Sequence, residues 1–142
     1  MRGLEPLPGL RVVATPEALD GARWHGADGA GDTAGDGDLL ILRFAPDDAF
    51  AIGAQTTQVD DPHAIVELEA GYVGAWLTAD QLAHAVVPRI EWPLPAERPV
   101  LAQGSVAGVP AKLWLTSDAD GKDQALLIVQ AAHAHDLEAR LR

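Results

Sequence analysis

The stretch that most restricts the fold lies between residues 100 and 115. Val109, Ala111, Leu113 and Leu115 alternate with Pro110, Lys112 and Trp114. A period of two puts the aliphatic set on one side of a strand and Lys112 and Trp114 on the other. A second run, 100–106, precedes it, and only Ala107 and Gly108 lie between. Two runs joined by a two-residue turn containing Gly make a β-hairpin. The chain is thereby committed to antiparallel pairing. Residues 125–129, Ala-Leu-Leu-Ile-Val, read as a buried strand beyond the polar segment 117–123.

The remaining segments mix strand and helix signals. Residues 10–14 form the first strand. Thr15 as cap, Pro16 at the first helical position and Glu17 in the first turn start a helix through Ala18, Leu19, Ala22 and Arg23, which Trp24 closes onto the sheet. Residues 39–44 are almost continuously apolar, a strand expected to be covered on both faces. Pro46-Asp47-Asp48 is turn chemistry, and 49–52 returns as a short strand ended by Gly53. The polar segment 55–62 reads as a connector. In the strand 64–68, Val66 and Leu68 oppose Glu67; in 72–77, Val73, Ala75 and Leu77 oppose Tyr72 and Trp76. Thr78 with Gln81 three residues on fits a capping box, and Leu82, Ala83, Val86 and Val87 follow until Pro88. Residues 89–99 hold Trp92 and three prolines, an extended connector. A helix closes the chain over 131–141.

The expected fold is α+β: mostly antiparallel sheet with helices on its faces, in one domain spanning 1–142. Two halves, 10–53 and 64–142, each contain the order strand–helix–strand–strand of a split β-α-β, ferredoxin-like unit.

Composition narrows the function. The 142 residues carry 10 basic and 21 acidic side chains, a formal charge of −11, and no Cys. Disulfide scaffolds, thiol catalysis and thiolate metal sites are excluded. An acidic chain lacks the Lys and Arg that displace counterions from a phosphate backbone, so no nucleic-acid partner is expected. No apolar run reaches the ~18–20 residues of a membrane span. The first residues lack an apolar signal core, so the expected location is cytoplasmic.

Residue chemistry offers no catalytic set. Ser105 and Ser117, the two serines, stand outside any nucleophile motif. The five histidines, His25, His63, His84, His133 and His135, form no spaced metal pair. The Asp- and Gly-rich segment 28–38 and the segment 117–123 lack the ligand series of a Ca²⁺ loop and read as polar surface loops. No metal and no cofactor are expected. Glu67 and Glu69 share a strand face and could meet one ligand, or form a solvated edge. Trp76 and Trp114 lie opposite the aliphatic sides of their strands, and Trp92 sits in the Pro-rich connector. These three are candidate partner contacts, because Trp is enriched at interface hot spots; a second internal core is the alternative.

From Ala45 onward the chain resembles the gamma subunit of heterotetrameric sarcosine oxidase, a relative of the aminomethyltransferase (T-protein) fold. The turn and strand of residues 45–52, the strand of 72–78 leading into the Leu82 helix, Trp92-Pro93-Leu94-Pro95, and the Ala102-Gln103 hairpin through Trp114 carry this. Gly104 stands where the family has Thr after Ala-Gln. The resemblance implies a non-catalytic accessory subunit docked on larger oxidoreductase subunits, which would hold the flavin, nicotinamide and folate sites. No catalytic residue transfers. Alternatives are a small enzyme or folate-type ligand binder using Glu67 and Glu69, and a homodimer of unassigned role.

Overall fold

A computed structural model describes residues 3–26 and 39–142. The segment 28–38 therefore lies outside the described residues. The chain divides into two compact units, one of Leu7–Ala70 and one of Met1–Pro6 with Gly71–Arg142. No described helix is long and apolar enough to cross a membrane.

A two-residue strand, β1 (Glu5–Pro6), belongs to the second unit. The first unit opens with β2 (Gly9–Val13) and α1 (Pro16–Asp20), followed by β3 (Arg23–Gly26), β4 (Leu40–Ala45), β5 (Asp48–Ile52), β6 (Ala54–Gln58) and β7 (Ile65–Glu69). The Thr15 hydroxyl accepts from Ala18 N at 3.2 Å, as the cap signal required. The helix is shorter than expected: it ends at Gly21, and Arg23 already belongs to β3. Trp24 is buried there, in a core with Leu10, Val12, Ala18, Leu19, Ala49 and Ala51.

The larger sheet of this unit has the order β4-β5-β2-β7, every neighbouring pair antiparallel. β2 and β4 are thus parallel with β5 inserted between them, the split β-α-β arrangement. β4 lies at an edge. Of its six residues only Leu42 is fully buried, which corrects the expectation that 39–44 is covered on both faces. Residues 55–58, read as part of a connector, lie in β6, which pairs with β3. The strand read at 64–68 with the second half is β7, which pairs with β2 in this unit.

The second unit contains β8 (Tyr72–Thr78), a helical run, β9 (Val100–Val106), β10 (Val109–Ser117), β11 (Asp123–Gln130), a short 3₁₀ turn and α3 (Ala134–Arg140). The helical run is α2 (Ala79–Gln81), a π-helical turn (Leu82–Val86) and a 3₁₀ turn (Val87–Arg89). The sheet order is β1-β8-β11-β10-β9. Its pairs are all antiparallel, so β8 and β9, on either side of the helical run, point in opposite directions. The expected order of elements is present, but its crossover is not the parallel one found in the first unit.

Leu77, Leu113, Leu115, Leu127 and Val129 form the core face of this sheet, and Leu82, Val86, Leu137 and Leu141 cover it from the helices. The alternation read for β8 and β10 therefore assigns their core faces as expected. At the β9–β10 turn, Ala107 (φ 52°) and Gly108 (φ 81°) both have positive φ, the signature of a type I′ turn.

Candidate functional site

Pairing of β8, β11, β10 and β9 aligns Trp76, Leu126, Trp114 and Leu101 on one rung of the sheet face opposite the helices. Directly opposed residues share a face, so the two indoles flank Leu126. Leu126 is buried, Trp114 is half-buried, and Trp76 keeps 50% of its surface exposed. Trp76 lines a cleft of about 400 Å³ with Glu5, Gly74, Thr78 and Gln81. On its other side is a smaller hollow of about 150 Å³ reaching Asp118 and Gln124. The capping box sets the rim of the larger cleft: the Thr78 hydroxyl accepts from Gln81 N at 3.2 Å, and Gln81 Oε1 accepts from Thr78 N at 2.9 Å.

Trp92 is elsewhere. Its indole lies against Gly104, and a Cβ added at Gly104 would meet the ring at 2.6 Å. Gly104 shares a strand face with the core residues Ala102 and Val106, so Trp92 packs on the helix side of the sheet. Its Nε1 donates to Ser105 O at 2.9 Å. The structure brings Trp76 and Trp114 together and places Trp92 on the opposite face. It also gives a local reason for Gly104: the indole occupies the space a side chain would need.

In the first unit, Glu67 and Glu69 share the β7 face, on the rungs of Arg11 and Gly9. Arg11 Nε and Nη2 donate to Asp48 at 3.0 and 2.6 Å, and Nη1 donates to Glu69 Oε1 at 3.3 Å. The guanidinium carbon stands 5.0 Å from the Phe44 ring centroid, a cation–π contact. Glu69 also lines a cleft of about 530 Å³ with Pro8, Gly53, Ala54, Gln55 and Leu68; Glu67 does not line it. Gly9 is needed at its floor, because a Cβ there would stand 2.1 Å from Ala51 O. The pattern of residue types did not reveal this cleft. Its available signals were Pro8-Gly9 and Gly53, punctuation that marks turns but not what they enclose.

Three further polar side chains, Asp118, His84 and Asp61, have structural partners. Asp118 Oδ1 accepts from Asp120 N and Lys122 N, both at 2.9 Å, and so organises the β10–β11 turn. His84 Nδ1 lies 2.8 Å from Asp80 O. Asp61 accepts from His63 N at 2.9 Å and Thr15 N at 3.0 Å. These two backbone donors, His63 foremost, hold its carboxyl below the ordinary value of 3.8. Among the described residues, no three His, Asp or Glu side chains gather into a metal-type cluster.

Comparison with protein-family models, curated proteins and solved structures yields no match to this chain.

Proposed function

We propose that the chain is a non-catalytic accessory subunit, a protein-binding module that docks on larger subunits of a flavin-dependent oxidoreductase of the sarcosine oxidase type. The observation that carries the docking reading is Trp76. It is a large aromatic side chain left half exposed on the sheet face opposite the helices, with a hollow on each side. A rigid indole in that setting suits a hot-spot anchor, which loses water on both faces when a partner closes over it. The type of partner comes from the sequence resemblance.

The test is isolation of the tagged protein from its native source at gentle ionic strength. Larger flavin-bearing subunits should co-elute, and Trp76→Ala should weaken their retention by ~30-fold, the equivalent of ~2 kcal/mol at a hot spot. If no larger oxidoreductase is retained, or if Trp76→Ala holds it as well as the wild type does, the reading fails.

The cleft beside Glu69 favours a second reading, a small-ligand binder of folate type. Its volume of about 530 Å³ suits a small molecule. Against it, the Glu69 carboxylate is already held by Arg11. Saturable quenching of Trp fluorescence at micromolar folate, abolished by Glu69→Ala, would replace the docking reading with this one.

A further inference from the structure

β7 is the outer strand of the β4-β5-β2-β7 sheet, and its side chains are unusually bare. Leu68 is 80% exposed, Ile65 56% and Val66 47%. An edge strand offers a row of backbone donors and acceptors to any chain that can pair with it. Val66 and Leu68 continue the rungs of Val12 and Leu10, both buried core residues. They extend that apolar layer past the last strand. On the other face, Arg11 is committed to Asp48 and Glu69, while the Glu67 side chain has no ion pair or hydrogen bond among the described residues.

We infer that β7 takes up an extended segment of a partner protein, in which aliphatic residues alternate with Lys or Arg. Backbone pairing would complete the edge, the mode of β-strand addition. The aliphatic side chains would cover Val66 and Leu68, and one would enter the cleft that Leu68 borders with Pro8, Gly53 and Ala54. The basic side chains would stand across from Glu67, in a chain whose formal charge is −11.

A second copy of this chain fits the edge poorly. Antiparallel self-pairing centred on Glu67 sets Glu67 against its own copy. Pairing centred on Leu68 sets Glu67 against Glu69. Like charges directly opposed on a strand pair are destabilising. Pairing centred on Val66 sets Ile65 against Glu67, which leaves the carboxylate beside an aliphatic chain. A cationic alternating strand opposes no like charges and sets a Lys or Arg across from Glu67.

This inference rests on the docking reading above, yet its test does not involve that partner. A fluorescent peptide, Lys-Val-Lys-Ile-Lys-Val, is titrated into the full chain by anisotropy, beside a peptide of the same composition with the alternation scrambled. Hydrogen exchange then locates the contact. The alternating peptide should bind at least tenfold tighter than the scrambled one and protect the amides of 64–70. Glu67→Lys and Leu68→Ser, both at exposed positions, should each weaken binding at least tenfold. Equal binding of the two peptides, protection elsewhere, or no effect of either substitution overturns the inference. So does a dimer in solution that Leu68→Ser dissociates, which would assign the edge to a second copy. Retention of larger subunits through Trp76 is read separately, so each idea can fail alone.

Discussion

Ala107 holds a conformation that L residues avoid, with φ at 52°. Its surroundings enforce this: Ala107 N donates to Arg89 O at 2.8 Å, and Ala107 O accepts from Arg140 Nη1 at 2.8 Å. Asn tolerates this region better, so Ala107→Asn should raise unfolding stability by ~0.5–1 kcal/mol, read from a denaturant midpoint at unchanged slope. Asp61 gives a pH-dependent case. Two backbone N–H groups favour its charged form, so the folded carboxyl is harder to protonate than the unfolded one. Its contribution is complete above the ordinary value of 3.8 and is lost as pH falls through the lower folded value. Asp61→Asn should therefore destabilise at pH 6, and the gap to wild type should narrow below pH ~3.8. Denaturation curves at several pH values check both points. The caps at Thr15 and Thr78 were legible in the residue pattern because capping is local chemistry. The φ of Ala107 was not, because it depends on Arg89 and Arg140 reaching one turn.

Legibility changes at the scale of elements. The faces of β8 and β10 followed from a period of two. β6 escaped because Gln55-Thr56-Thr57-Gln58 has no apolar alternation; it forms a strand because β3 supplies backbone partners. β4 misled in the opposite sense, since its run of Leu and Ile suits a central strand while its pairing puts it at an edge. Trp92 in its connector was open to either a partner contact or an internal core, and the bare backbone of Gly104 opens a seat for it on the core side. The helical run after β8 starts from the Thr78 capping box. Thr78→Ala should cost ~1 kcal/mol, measured as a lowered denaturation midpoint, and should release Gln81 from the rim of the Trp76 cleft.

For the whole molecule, charge is the feature that acts at range. A formal charge of −11 makes the folded chain repel itself. Raising ionic strength from ~0.01 to ~0.15 M shortens the screening length from ~30 to ~8 Å. The thermal midpoint should rise by ~2–4 °C, corresponding to ~1 kcal/mol. A midpoint that stays level or falls would show that attractive pairs, such as Arg11 with Asp48 and Arg43 with Asp20, outweigh the repulsion.

By itself the sequence determined the α+β class, the hairpin at 107–108, the helix starts at Thr15 and Thr78 and the core sides of β8 and β10, because these depend on residues a few positions apart. Only the tertiary structure decided that Trp76 and Trp114 share a rung without Trp92. The same holds for β7 lying at an edge beside an apolar cleft. Strand order and register join residues far apart along the chain, and no local pattern of residue types specifies which strand will lie beside which.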